Sequence, residues 1–145
     1  MRIAIASDHA GYQMKEIIKA FLNRADYSCE DFGTSSEDSV DYPDFAIKVA
    51  RGVSAGKYER GILVCATGLG MCITANKIKG VRAVTCHNQF TAEMSRRHND
   101  ANILCLGAKV LDRDKLEPIL KVWLETPFEE GRHARRLQKI QELGS

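Results

Sequence analysis

The 145-residue sequence holds no apolar run near the roughly 20 residues that a bilayer-spanning helix needs. Its opening stretch, Arg2-Ile-Ala-Ile-Ala-Ser7, reads as a strand and carries neither the apolar h-region nor the cleavage site of a secretory signal. The expected location is therefore cytoplasmic, with no membrane partner. Charge of one sign is scarce as well: 21 lysines and arginines against 19 aspartates and glutamates leave a net charge of +2. That balance gives no broad electrostatic footprint for nucleic acid. Neither Cys-X-X-Cys nor His-Glu-X-X-His occurs, so no metal site is expected. The cysteines at 29, 65, 72, 86 and 105 are odd in number and irregularly spaced, unlike a secreted disulfide framework. With no internal repeat, low-complexity tract or interdomain linker, residues 1–145 read as one domain.

What the sequence does have is alternation. Short apolar runs at Arg2–Ser7, Ser28–Phe32, Gly61–Cys65, Val81–Thr85 and Ile103–Leu106 read as strands. Amphipathic stretches at Tyr12–Asn23, Asp44–Ala55, Cys72–Ile78, Gln89–Arg97 and Arg113–Leu124 read as helices, and a last helix with a basic first turn follows Glu129. In the first helix Met14, Ile17, Ile18, Phe21 and Leu22 recur at helical spacing and form one buried face. The strands are nearly continuous in apolar character, as when helices cover both faces of a sheet. This pattern predicts an α/β fold with a parallel sheet of about five strands and right-handed crossovers. Ligands of such sheets bind beyond the carboxyl ends of the strands. That rule selects Ser7-Asp8-His9-Ala-Gly11, Cys65-Ala66-Thr67-Gly68-Leu69-Gly70, Cys86-His87-Asn88 and Gly107-Ala-Lys109.

The second of these segments is the most informative. An apolar strand ends on Cys65, then turns through Thr67-Gly68-Leu69-Gly70 into a helix. The junction gathers a thiol, a hydroxyl and backbone N–H groups that lack helical acceptors, a setting that attracts anions and favours thiolate. It is not a dinucleotide fingerprint, because Ile73 stands where the third glycine belongs, and no Gly-Lys-Ser/Thr follows. A plain tight turn would explain the glycines but leaves Cys65 and Thr67 without a purpose. Asp8-His9 fits either an Asx-type turn or a carboxylate working with a ligand-facing imidazole. His98, in Arg96-Arg97-His98-Asn99-Asp100, can cap helix carbonyls or serve as an acid. Arg132 and Arg136, four residues apart on one helical face, form either a solvated basic surface or a phosphate grip, and Lys109 allows the same two readings.

Taken in order, these segments resemble the type B ribose-5-phosphate isomerases and their galactose-6-phosphate isomerase relatives along nearly the whole chain. The matching pieces are Ile-Ala-Ser-Asp8-His9-Ala-Gly, Asp41-Tyr42-Pro43, Gly-Ile-Leu-Val-Cys65-Ala66-Thr67-Gly68-Leu69-Gly70-Met, and Ala75-Asn76-Lys77. Gly80-Val-Arg82-Ala, Ser95-Arg-Arg-His98-Asn99-Asp-Ala-Asn102 and Gly131-Arg132-His133 with Arg136 continue the match. The resemblance implies a Rossmann-like three-layer αβα sandwich with a C-terminal helix. It further implies a homodimer or a tetramer of dimers with the active site at the dimer interface. The activity it implies is cofactor-free interconversion of D-ribose 5-phosphate and D-ribulose 5-phosphate, in the non-oxidative pentose phosphate pathway. In that scheme Cys65 is the base and His98 the ring-opening acid, with Thr67 and Asp8 in the catalytic set. Asp8, His9 and Tyr42 would lie at the sugar phosphate, residues Ala66, Thr67, Gly68, Leu69 and Gly70 would form the cradle, and Asn99 would touch the sugar. Lys109, Arg132 and Arg136 would hold the phosphate. Ala66 replaces the family's usual glycine, and Lys109 replaces an arginine, keeping the charge without the bidentate fork. Relatives without the cysteine use a nearby glutamate, but Gly70-Met-Cys-Ile-Thr74 has no carboxylate.

The chemistry accounts for these residue types. Aldose–ketose exchange moves a proton between C2 and C1 while charge collects on the carbonyl oxygen. Preorganised N–H donors aimed at such an oxygen are worth about 3–4 kcal/mol each. A tuned base adds roughly 10²–10⁴-fold. Other aldose phosphates, including allose 6-phosphate, galactose 6-phosphate and a tetrose phosphate, would suit the same groups. A non-catalytic sugar-phosphate sensor would need the cradle but neither Cys65 nor His98. A thiol redox protein would oxidise Cys65, with Cys72 two helical turns along as the nearest candidate partner.

Overall fold

The computed structural model describes Met1–Gly144. Its elements in chain order are β1 (Arg2–Ser7), α1 (Tyr12–Arg24), β2 (Ser28–Asp31), α2 (Tyr42–Ser54), β3 (Arg60–Cys65) and α3 (Leu69–Ala75). There follow β4 (Ala83–Thr85), α4 (Gln89–Arg97), β5 (Ile103–Gly107), α5 (Arg113–Glu125) and α6 (Arg132–Leu143). All five strands are parallel, in the order β2-β1-β3-β5-β4. The chain moves outward from β1 to β2, then returns to lay β3 on β1's other side, so the winding reverses between β1 and β3. Open α/β sheets bind ligands at that reversal.

Strand alternation divides the interior in two. Ile3, Ile5, Ile62, Val64, Leu104 and Leu106 face α1, α4 and α5, where Ile18, Leu22, Leu116, Leu120 and Trp123 meet them. Ala4, Ala6, Leu63, Cys65, Ile103 and Cys105 face α2 and α3. The alanines on that side, with Ala46 and Ala50 of α2, let helix and sheet approach closely. The architecture is the expected three-layer αβα sandwich, with α6 added after α5.

Several boundaries differ from the sequence reading. α3 begins at Leu69 rather than Cys72, because Gly68 takes a left-handed conformation (φ +80°) and starts the helix at once. It ends at Ala75 rather than Ile78, because Asn76 leaves the helix to bond β4. The Asn76 side chain accepts the Ala83 N–H at 2.8 Å and donates to the Ala83 carbonyl at 2.9 Å. β4 starts at Ala83 rather than Val81, since the Arg82 N–H is taken by the Asn102 side chain at 2.7 Å. α2 starts at Tyr42 with Pro43 in its first turn, where a missing N–H costs no helical bond. The face of α1 also differs: Lys15 is buried, while Ile17 and Phe21 are only partly covered. Lys15 Nζ reaches both Asp31 carboxylate oxygens at 2.8 Å and the Thr34 carbonyl at 2.5 Å.

Candidate active site

The carboxyl ends of β1, β3 and β5 lie side by side, with Ser7 beside Val64 and Cys65 beside Gly107. Two close backbone approaches join the loops that leave them. A Cβ on Gly11 would sit 2.5 Å from the Val64 carbonyl oxygen, and one on Gly107 would sit 2.7 Å from the Thr67 carbonyl. Only glycine permits either approach. The β3–α3 turn is also tied to the next loop by two backbone bonds, Ala108 N–H to the Cys65 carbonyl (2.8 Å) and Lys109 N–H to the Ala66 carbonyl (3.0 Å).

Within this frame Cys65 ends β3 and is 5 % exposed, against 0 % for Ile62, Leu63 and Val64 before it. Its sulfur accepts the Gly68 N–H at 3.1 Å. The Thr67 hydroxyl accepts the Leu69 N–H at 3.2 Å, and the Thr85 hydroxyl donates to the Gly68 carbonyl at 3.3 Å. Ala66 keeps an ordinary negative φ, so exchanging glycine for alanine strains nothing there. Tyr42, at the start of α2, lays its ring over Gly70, where a Cβ would lie 2.4 Å from a ring carbon. Cys65, Thr67, Gly68, Leu69, Gly70 and Tyr42 are therefore one local assembly.

Asp8 and His9 close the neighbouring side. The Asp8 carboxylate is buried and accepts the Gly11 N–H at 3.1 Å, the Asx-type turn that the sequence allowed. His9 Nδ1 accepts the Val40 N–H at 3.2 Å, which leaves the ring proton on Nε2 as a donor. A pocket of about 390 Å³ opens here, lined by His9, Gln13, Glu37, Lys109 and Arg113. Arg113 was not singled out from sequence; its position at the first turn of a predicted helix following Lys109 was the available signal. His87, from the fourth ligand-end segment, is occupied structurally, its Nε2 accepting the Gly107 N–H at 2.9 Å.

The remaining predicted residues lie elsewhere. α4 runs back across the sheet, so His98, its C-terminal cap, stands near the amino ends of the strands together with Asn99. The register matches Ile103 with Gly61 and Gly107 with Cys65. His98 and Cys65 are thus separated by at least four strand residues, roughly 13 Å along the sheet. Arg132 and Arg136 begin α6 at that same far edge, both exposed. There the His98 ring stacks on the buried His133 ring, centroids 4.1 Å apart and planes 11° apart. The Glu129 carboxylate lies 3.6 Å from His133 Nε2 and 3.9 Å from His98 Nε2, and it pairs with Arg97 at 3.1 Å. His98, Glu129 and His133 are three potential metal ligands that no sequence spacing announces, because His98 comes from a different helix, far back in the chain from the Glu129–His133 pair. Parallel rings do not converge their lone pairs on one point, so the trio as it stands does not fit a single ion.

A reversal-point cradle, a terminal thiol beside a bonded glycine amide, and basic residues nearby make a site suited to a small anionic ligand. Comparison with known proteins makes the assignment particular. The profile of the ribose/galactose isomerase family matches residues 3–140, and the chain belongs to that family. It is similar to Clostridium thermocellum ribose-5-phosphate isomerase B, with a TM-score of 0.97 at 51% identity over 99% of this chain and 97% of that one. Escherichia coli ribose-5-phosphate isomerase B is 40% identical over 96% of this chain and 93% of its own. D-erythrulose-4-phosphate isomerase of Pectobacterium atrosepticum is 37% identical over 97% of this chain and 93% of its own.

Proposed function

We propose that this protein interconverts D-ribose 5-phosphate and D-ribulose 5-phosphate through an enediolate and without a cofactor, in the non-oxidative pentose phosphate pathway. Cys65 takes the proton from C2 and returns it at C1, while N–H groups of the Ala66–Gly70 turn receive the charge that collects on the carbonyl oxygen. The observation that carries this reading is the Cys65 sulfur, fixed by the Gly68 N–H at 3.1 Å at the head of that turn. Thr67 and Asp8 stand beside the reacting carbons, and Tyr42 walls the sugar. His9, through its free Nε2–H, and Lys109 bind the phosphate.

His98 opens the furanose ring, with Asn99 on the sugar and Arg132 and Arg136 on the phosphate. One chain cannot bring these four to Cys65, since they lie at the opposite edge of the sheet. A second copy supplies them, in a homodimer or a tetramer of dimers. Support comes from Leu69 and Ile73, one turn apart on α3 beside the cradle and 57% and 65% exposed. Such an apolar stripe at a site suits an interface.

The test is exchange of the C2 proton with deuterated solvent. Ribose 5-phosphate is expected to yield ribulose 5-phosphate carrying solvent deuterium at C1, and Cys65→Ala to lose about 10²–10⁴-fold of that exchange while staying folded. Near-normal turnover in Cys65→Ala removes the cysteine base. Binding of ribose 5-phosphate without any exchange favours a sugar-phosphate sensor. A second reading, a tetrose phosphate as substrate, is favoured by the relative named D-erythrulose-4-phosphate isomerase, 37% identical to this chain. Rates on ribose 5-phosphate, erythrose 4-phosphate, allose 6-phosphate and galactose 6-phosphate separate the candidates.

A further inference from the structure

Between Arg132 and Arg136, both proposed to hold the phosphate, the chain places a histidine that the reaction leaves without a role. His133 is buried in the first turn of α6, and its Nε2 has no hydrogen-bond partner. An unpaired buried nitrogen costs stability, so the ring is not kept there to hold the fold together. What it touches is His98: the two rings lie face to face, centroids 4.1 Å apart and planes 11° apart. The His98 side chain is 38% exposed and that of His133 is 7% exposed, so the outer ring can meet a ligand and the inner one cannot. The segments that carry the rings are tied together. The Glu129 N–H donates to the Arg97 carbonyl at 3.0 Å, and the Arg97 guanidinium donates to the Glu129 carboxylate at 3.1 Å. The His98 N–H closes α4 on the Met94 carbonyl at 2.8 Å.

We propose that His133 is a positioning residue for His98, a flat plate that fixes the plane of the ring that opens the sugar. The inference rests on the reading of His98 as the ring-opening acid. An imidazole free to turn about its side-chain bonds aims its nitrogens in many directions, and proton transfer needs one of them within hydrogen-bond reach of a sugar oxygen. Packing one face against a second ring removes those turns before the substrate arrives. The plate also suits His98 when it carries a proton, because a cation is attracted to an aromatic face. That attraction needs an uncharged His133, since two stacked cations repel each other. Arg132 and Arg136 on α6, and Glu129 with its partner Arg97, are the charged groups near the pair. Glu129 lies 3.6 Å from His133 Nε2 and 3.9 Å from His98 Nε2, so it bonds neither ring. Burial first, then His98, Arg132 and Arg136, lower the pKa of His133 against the pull of Glu129.

The full-length protein and its His133→Leu, His133→Phe and His98→Asn variants are assayed on ribose 5-phosphate and on its 4-deoxy analogue, which lacks the hydroxyl that closes the ring. His133→Leu is expected to lose at least about tenfold in kcat on ribose 5-phosphate with little change in KM, and to turn over the analogue at the wild-type rate. His133→Phe keeps a flat face and should stay within about threefold of the wild type on both substrates. Proton NMR gives a readout apart from activity. The His98 ring protons, assigned by their loss in His98→Asn, should lie upfield under the neighbouring ring in the wild type and in His133→Phe. In His133→Leu they should return to ordinary positions. Unshifted His98 protons in the wild type overturn the inference, whether or not His133→Leu folds. So do equal losses on the two substrates in His133→Leu, or a His133→Phe variant as poor as His133→Leu. A His98→Asn variant that treats both substrates alike removes the ring-opening reading and this inference with it. A selective loss in His98→Asn beside a fully active His133→Leu removes the positioning role alone.

Discussion

At the scale of single residues, the side chains that matter are held by short local bonds that the motifs announce only in part. Asp8 forms the turn bond to Gly11, and His9 takes the Val40 N–H, so their type was legible in sequence while their orientation was not. His98 has the clearest chemical test. A ring-opening acid matters only for a closed sugar, and an imidazole can give a proton to the ring oxygen and take one from the hydroxyl. His98→Asn is expected to lose about 10²–10⁴-fold on ribose 5-phosphate yet process an analogue that cannot cyclise at close to the normal rate. Equal losses on both, measured as kcat/KM, would remove the ring-opening role. Asp31 carries a prediction about pH. Burial works to raise its pKa, but hydrogen bonds from Lys15, Lys19 and the Gly33 N–H outweigh it and hold the carboxyl below 3.8. A carboxylate depressed on folding stabilises the native state above its unfolded pKa, about 3.9, and that stabilisation fades as pH falls through the lower folded value. Acid unfolding of Asp31→Asn should therefore be flatter below about pH 4 than that of the wild type, as followed by circular dichroism against pH.

At the scale of elements, β4 is the weakest strand, three residues long and at the sheet edge. Asn76 substitutes for the missing neighbour by giving and accepting a bond at Ala83. Asn76→Ala should cost about 1–3 kcal/mol, because it leaves the part-buried Ala83 N–H unpaired and the Ala83 carbonyl with only the weak Cys72 thiol donor. For a chain of this size that corresponds to a fall in Tm of roughly 3–10 °C, read by calorimetry. No change in Tm would mean that water satisfies both groups. Asn76 stood in a motif quoted from the sequence, but its purpose did not. Propensity carries a helix forward until a side chain finds a better partner across space, and that partner is seven residues away on another element. The early start of α3 has the opposite character. A left-handed glycine followed by Leu69 can open a helix in one step, so Gly68 was the available signal.

At the scale of the whole molecule, the proposed site is split by the fold itself. Cys65 and His98 occupy opposite edges of one sheet, and both edges carry exposed apolar side chains, Leu69 and Ile73 at one and Ile140 on α6. Complementation tests the sharing directly. Cys65→Ala and His98→Asn, each inactive on ribose 5-phosphate alone, are unfolded together in equal amounts and refolded. If each site takes Cys65 from one copy and His98 from the other, random pairing yields half mixed dimers with one intact site of two. Activity should then return to about a quarter of the wild-type value. No recovery, with mixed dimers demonstrated by mass, would mean that one chain supplies both groups.

The alternation of apolar runs and amphipathic stretches was enough to specify a parallel α/β sheet, because each strand's burial on two faces writes a continuous apolar run into the chain. The same logic places Asp8, His9, Cys65 to Gly70 and Lys109 at one edge, since carboxyl ends of parallel strands must share an edge. Only the tertiary structure decided that Lys15 is buried against Asp31 and that His98 stacks on His133 far from Cys65. Those facts depend on which helix crosses which strand and in what direction. Local periodicity records how deeply a residue is buried, and it holds no term for the distant residue that buries it.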